Sequence, residues 1–273
     1  MPHITFTEEI KPAQINVPRA ALSFAREIAY PSLDIQAYLS QLDDLAEAAG
    51  ERVPPGGTAA ERAEGLADFL FVQLGFRGNS TEYTDPRNSY LNEVLNRRLG
   101  IPISLSVLYI AVGERLGLRI HGIGLPGHFI VGVPRPEGNL YLDPFHGGVR
   151  ISLEDCARLV AETTEFTGKL QPEWLAPASE LEILGRMLTN LRNIYVQQEQ
   201  WSSVLAILDR LVLVQPAQGE HLRDLGIIHQ NHGSLTQAVE YFRQYLSRYA
   251  QAQDADMMRK KMKTAVEDLA RLN

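Results

Sequence analysis

The residues most capable of taking part in a chemical reaction lie in the segment 85–148. His128 stands in the motif L-P-G-H-F-I-V, and Asp143 ends the next predicted strand in Y-L-D-P-F-H-G-G. An apolar segment, 103–116, precedes both and predicts a buried central helix. An imidazole can move a proton when a carboxylate fixes its tautomer, so this pair could support nucleophilic catalysis. The alternative is a hydrogen-bonded pair that only orients two strands.

Two hydroxyl groups near the start of the predicted central helix are candidate nucleophiles, Ser104 and Ser106. A serine needs an aligned base, because its intrinsic acidity is far below that of a cysteine. The alternatives are an N-terminal capping bond for Ser104 and a small packing residue for Ser106. The single cysteine, Cys156, follows the predicted sheet on another helix and is expected to be a small buried hydrophobe.

A polar group directly before the central helix is predicted to bind a ligand: Asn88, Tyr90 and Glu93. Tyr90 and Glu93 are three residues apart and can share one helix face. Glu93 has an alternative interpretation as a solvated carboxylate.

The histidines of the same region are possible metal ligands. His121, His128 and His146 could act together with Asp143, but the spacing contains no H-x-x-H or H-E-x-x-H pattern. We therefore predict no metal and no cofactor from the sequence.

Hydrophobic periodicity predicts helices first and strands afterwards. Residues 1–18 read as extended or irregular. The predicted helices cover 20–29, 34–49, 58–74, 89–99 and 103–116. Short strands are predicted over 119–124, 128–134 and 139–143, and Ser152 with Asp155 predicts a capped helix start. The N-terminal domain, residues 1–174, is thus predicted to be α+β, with helices and a small antiparallel sheet. Residues 172–177 are the predicted linker.

The C-terminal part, residues 175–273, is predicted to be all-α. Apolar positions recur at an offset of 34 residues, which is the period of tetratricopeptide repeats. The matching pairs include Leu191 with Leu225, Ile194 with Ile228, Val204 with Ala238 and Leu208 with Phe242. About two repeats are present, followed by a capping helix over 255–272. Because about three repeats are usually needed for independent stability, we expect this module to pack on the N-terminal domain.

The stretch N-S-Y-L-N-E-V-L-N-R-R-L-G-I-P-I-S-L-S-V-L-Y, with L-P-G-H-F and Y-L-D-P-F, resembles the transglutaminase-like, papain-related core. In that core a Cys begins a central helix, and a His and an Asp lie on neighbouring strands. With the repeats included, the chain is similar to the bacterial SirB-type transglutaminase-like/TPR family from about Ala20 onward. The resemblance implies that His128 and Asp143 match the family His and Asp. The nucleophile position falls near residues 101–104, closest to Pro102, and no Cys is present there.

The absent thiol and the repeats together favour a non-catalytic protein, a pseudoenzyme acting as a binding, scaffold or regulatory factor. Its cleft and repeat surface would recognise a protein or peptide partner. The alternative is a hydrolase or acyl transferase that uses Ser104 or Ser106 with His128 and Asp143. A thiol peptidase or a transglutaminase proper is opposed by the missing cysteine.

Composition narrows the partners further. The 273 residues carry a net charge of −7, so no overall basic surface predicts nucleic acid or anionic membrane as a partner. The longest uncharged apolar stretch, 101–113, is too short to cross a bilayer. The first residues lack the basic and apolar regions of a secretory signal, which predicts a cytoplasmic protein.

Overall fold

The N-terminal unit, which ends at Met187, combines helices with a small antiparallel sheet, as the sequence predicts. The computed structural model describes residues 4–53 and 55–272. The helices of this unit are α1 (Phe6–Glu9), α2 (Val17–Ile28), α3 (Ile35–Gly50), α4 (Ala59–Ala67), α5 (Leu91–Arg97), α6 (Pro102–Arg115) and α7 (Leu153–Thr163). A longer helix, α8 (Glu180–Gln197), continues past the end of the unit. The domain boundary after residue 174 stays a prediction.

The start of the chain is more helical than expected for residues 1–18. The short helix α1 lies within that segment, and α2 begins at Val17, before the predicted start at residue 20. The reason is local: the Asn16 side chain accepts a hydrogen bond from the amide of Arg19, and Pro18 suits a first turn. Residues 1–3 of the predicted irregular segment lie outside the described residues.

The helix predicted over 58–74 changes its hydrogen-bond pattern midway. Thr58 and Glu61 form a reciprocal capping box at the start of α4. After Ala67 the chain continues as a π-helical turn, Asp68–Gln73, which buries two phenylalanines and a leucine. Gly75 then ends it with a backbone φ of +74°, a conformation that favours glycine.

The central helix is α6, and its residues from Pro102 to Tyr109 are all buried. It follows a short parallel pair of strands, β1 (Arg77–Gly78) and β2 (Leu99–Gly100). Pro102 occupies the first turn, where a missing N–H costs nothing because that group would have no helical partner. The helix packs against the main sheet, and the Ser106 hydroxyl lies 3.5 Å from the carbonyl oxygen of Phe129, the neighbour of His128 in the chain.

The main sheet contains four antiparallel strands in sequential order. They are β3 (His121–Ile123), β4 (Ile130–Val133), β5 (Leu140–Asp143) and β6 (Val149–Ile151). Val131 pairs with Leu142 in the register of β4 and β5. Because antiparallel neighbours reverse direction, the start of β4 lies beside the end of β5, where His128 and Asp143 meet.

The segment predicted as a linker, 172–177, is attached to the sheet. Pro172–Leu175 form a 3₁₀ turn, and Trp174 packs against the core around Ile123. Pro177 forms an antiparallel bridge with Ile123, and the amide of Ala178 donates to the carbonyl of Gly122 at 2.8 Å. The edge of β3 is therefore covered by the chain itself.

The C-terminal unit, which begins at Leu188, consists of helices and their connecting turns, with no strand among its described residues. Its helices after α8 are α9 (Trp201–Val214), α10 (Glu220–Asn231), α11 (Leu235–Arg248) and α12 (Ala255–Leu272). Leu208 and Phe242, paired by the 34-residue offset, occupy buried positions on α9 and α11. A Cβ on Gly226 would lie 2.6 Å from the Phe242 ring, so α10 needs glycine where α11 approaches. Within the described residues, no helix has both the length and the apolar character to span a membrane.

Candidate functional site

His128 and Asp143 form a buried hydrogen-bonded pair between two neighbouring strands. His128 lies two residues before β4, and Asp143 is the last residue of β5. The distance from Nε2 of His128 to Oδ2 of Asp143 is 2.9 Å, and the residues are 4% and 1% exposed. The two residues that the sequence selected for this pair are thus brought together, in an arrangement where the carboxylate can orient the imidazole.

His146 contacts the same carboxylate oxygen. Its Nδ1 lies 2.7 Å from Oδ2 of Asp143, and its ring stacks on that of His128 with centroids 5.7 Å apart. The side chain is 53% exposed, so the cluster reaches the surface through this residue. The sequence suggested His146 only as a possible metal ligand. The sequence contains a local signal for this contact in the Asp-Pro-Phe-His turn. An Asp side chain readily accepts hydrogen bonds from the amides two and three residues later, and such a turn brings His146 back to Asp143.

The second oxygen of Asp143 is fixed by the backbone. Its Oδ1 accepts from the amides of Phe145 at 3.0 Å and His146 at 3.4 Å. Burial alone would raise the pKa of Asp143, but the hydrogen bonds and charge of His128 and His146 hold it below its ordinary value. The carboxylate is therefore favoured in its ionised form. Among the described residues, His128, Asp143 and His146 have ligand atoms within 4.8 Å of one another, close enough to share a metal ion, and His121 is outside this group.

An aromatic wall borders the cluster. Phe145 contacts the His128 ring edge-on with centroids 6.1 Å apart, and Tyr83 contacts Phe145 in the same way at 6.0 Å. Gly78 allows this packing, because a Cβ there would lie 2.6 Å from the Phe145 ring. The polar cluster is thus set against apolar rings on this side.

Arg186 holds the backbone around His128 and was not indicated by the sequence. Its Nη2 donates to the carbonyls of Leu125 and His128, each at 2.7 Å. The guanidinium also lies 5.5 Å from the centre of the Phe129 ring, and burial lowers the pKa of this group. Arg186 comes from α8, so the turn that carries His128 is fixed by a helix about 60 residues later in the chain.

Ser104 is fully buried and hydrogen-bonded to the backbone. Its Oγ accepts from the amide of Ile101 at 3.0 Å and donates to the carbonyl of Asn88 at 2.6 Å. These bonds agree with the predicted capping role of Ser104. They do not align its hydroxyl with a base.

Ser106 is also buried, and its Oγ lies 3.5 Å from the carbonyl oxygen of Phe129, a long hydrogen bond. Within residues 4–53 and 55–272, no hydrogen bond joins either serine to His128. Cys156 lies in the apolar core with Ile123 and Ile130. Burial, with the nearby charge of Asp155, raises the pKa of this thiol to about 11, so it has little thiolate character.

The three residues predicted to bind a ligand have different environments. Asn88 is buried: its Nδ2 donates to the carbonyl of Glu82 at 2.7 Å, and its Oδ1 accepts from Asn79 at 3.1 Å. Tyr90 is buried, with its ring against that of Tyr30. Glu93 is partly exposed on α5. Asn88 and Tyr90 thus help to build the fold around the start of α6, and a ligand-binding role for the three stays a prediction.

Two family models match successive parts of this chain. The model of the transglutaminase-like superfamily matches residues 36–189, and a tetratricopeptide-repeat model matches residues 191–263. A UPF0162 protein of Xylella fastidiosa is 36% identical over 88% of this chain and 86% of its own length. F-box only protein 21 of Mus musculus is 35% identical over 46% of this chain and 20% of that protein. A crystal structure of menin aligns with a TM-score of 0.41 and 14% identity, covering 94% of this chain and 72% of that chain.

The superfamily match covers more than half of the chain and includes the helix, the strands and the His–Asp pair described above. The repeat match begins at residue 191, within α8, and includes α9, α10 and α11. The resemblance to the SirB-type family is confirmed by the Xylella relative, which is similar over most of both lengths. The chain therefore belongs to the UPF0162 family of transglutaminase-like proteins with C-terminal tetratricopeptide repeats.

Proposed function

We propose that this protein is a non-catalytic transglutaminase-like factor that recognises a protein or peptide partner through its repeat surface and its cleft. Tetratricopeptide repeats, whose presence the comparisons establish, form concave surfaces suited to such partners. We further propose a cytoplasmic location, which suits a chain whose single cysteine can form no intramolecular disulfide.

The observation that carries the proposal is the bonding of Ser104. The family pattern begins its central helix with a nucleophile, whereas residues 101–104 of this chain are Ile, Pro, Ile and Ser. The one hydroxyl among them is occupied by the carbonyl of Asn88 and the amide of Ile101. A hydroxyl held in this way would have to break buried hydrogen bonds before it could attack a substrate.

The repeat unit offers a suitable groove for recognition. Residues of α8, α9 and α10 line a cavity of about 480 Å³. Val196, which is 40% exposed, and Ile227 give it an apolar surface, and Arg192 and Asp224 add opposite charges. This combination suits an extended peptide that carries both apolar and charged side chains.

A second candidate function remains a hydrolase or acyl transferase that uses Ser104 or Ser106 with His128 and Asp143. The observation in its favour is the 2.9 Å contact between His128 and Asp143, which has the geometry of a base and its orienting carboxylate.

The groove predicts a defined binding experiment. A displayed peptide library selected on the full chain should yield a consensus peptide whose affinity can be measured in solution. Arg192→Glu and Val196→Asp should each weaken that affinity about tenfold or more, because the first reverses a charge that lines the groove and the second places a charge on its apolar surface.

Val266→Asp is the matched control, since Val266 is 47% exposed on α12 and does not line the groove. It should bind the peptide as the unchanged chain does. A library that yields no consensus would refute recognition by this groove. So would a peptide that binds Arg192→Glu and Val196→Asp as tightly as it binds the control Val266→Asp.

A further inference from the structure

Three side chains of the types that bind transition metals converge at one point. Nε2 of His128 and Nδ1 of His146 both face Oδ2 of Asp143, and the ligand atoms lie within 4.8 Å of one another. Two imidazoles and one carboxylate form the ligand set of many open metal sites, including mononuclear zinc and non-haem iron centres.

The spacing of these atoms suits coordination as well as hydrogen bonding. For bonds of about 2.1 Å, neighbouring ligands lie about 3 Å apart around a six-coordinate ion and about 3.4 Å apart around a tetrahedral ion such as Zn²⁺. The two distances to Oδ2 are 2.9 Å for His128 and 2.7 Å for His146. Small rotations of the two rings would therefore allow a cation to replace the protons that the three groups now share.

The surroundings already orient two of the three ligands. Oδ1 of Asp143 is held by the amides of Phe145 and His146, and the backbone of His128 is held by Arg186. Hydrogen bonds of this kind around a metal site fix its ligands and raise affinity. His146, in contrast, is 53% exposed, so remaining coordination positions would be open to water.

From these observations we propose that His128, Asp143 and His146 bind one divalent transition-metal ion, such as Zn²⁺, in a site open to solvent. In the sequence these residues are possible ligands without an H-x-x-H or H-E-x-x-H pattern, and a strand separates His128 from the other two, so spacing alone predicted no metal. The proposal does not depend on the proposed function, since a metal can bind here whether or not the repeat groove binds a peptide.

The test is a metal titration of the chelator-treated full chain. Zn²⁺ binding measured by calorimetry should saturate at one ion per chain, and Co²⁺ should give a visible absorption band from bound cobalt that Zn²⁺ displaces. His146→Ala should lower the affinity about 100-fold or more, because it removes a direct ligand, whereas loss of outer contacts alone costs about 10–100-fold.

His146 is the residue of choice for substitution because it is half exposed and its loss spares the buried pair. His121→Ala is the matched control and should bind Zn²⁺ unchanged, since His121 is outside the cluster. No cobalt band and no saturable Zn²⁺ binding, or equal affinity in the His146→Ala variant and the unchanged chain, would overturn the proposal.

Discussion

Replacing Asp143 with alanine should lower the free energy of unfolding of the N-terminal unit by about 3–5 kcal/mol, because it removes a buried carboxylate on which four hydrogen bonds converge. The carboxylate is 1% exposed and accepts from two histidines and two amides. Alanine would leave the amides and the buried His128 nitrogen without partners. Urea unfolding followed by Trp174 fluorescence, in a Trp201→Phe background, reports on this unit.

The exposed Asp44 provides the control, because Asp44→Ala should change stability by no more than about 0.5 kcal/mol.

The contribution of Asp143 to the free energy of unfolding should also depend on pH. The pKa of Asp143 is lowered in the folded chain, so its stabilisation is present above the carboxyl's unfolded pKa and is lost as pH falls through the folded value. The difference in stability between the unchanged chain and Asp143→Asn should therefore narrow on acidification. Equal stability of both at neutral pH would contradict a structural role for this carboxylate.

Phe242→Ala should destabilise the repeat unit by about 3–5 kcal/mol, since it removes a large buried ring and leaves a cavity. Phe242 is 0% exposed, packs in a cluster with Leu222, Ala238 and Met258, and contacts α10 at Gly226. The fluorescence of Trp201 in a Trp174→Phe background reports on this unit, because the chain has two tryptophans and Trp174 belongs to the other unit.

An exposed leucine on α9 serves as the comparison. Leu213 is 41% exposed, so Leu213→Ala should cost less than about 1 kcal/mol. If Phe242→Ala were equally mild, the ring would not be a central packing residue, and the repeat interpretation of α10 and α11 would lose its main physical support.

Local patterns in the sequence were sufficient for much of the fold. The Ser152–Asp155 pair predicted the capping box at the start of α7, and apolar alternation before Val133 predicted β4. The 34-residue offset predicted that Leu208 and Phe242 occupy equivalent buried positions. Each of these signals comes from residues whose spacing reflects the helical or extended period of the element itself.

The details of the site depended on contacts that spacing does not encode. Arg186 reaches Leu125 from 61 residues away, and Ser104 bonds the carbonyl of Asn88 from 16 residues away. Neither contact produces a periodic pattern in the sequence. The meeting of His128 and His146 likewise requires the register of β4 and β5 together with the turn after Asp143. Residue types therefore predicted which side chains could take part in chemistry. Tertiary contacts determine which of those side chains meet.

A non-catalytic role is tested most directly by asking whether this protein forms or breaks any acyl bond through His128. Purified full chain, both chelator-treated and Zn²⁺-supplemented, should be incubated with a panel of ester and amide substrates and with a broad serine-directed activity probe. We expect no labelling of Ser104 or Ser106 and no turnover above that of His128→Ala. Labelling or turnover that is lost in Ser104→Ala, Ser106→Ala or His128→Ala, with those variants still folded, would contradict it.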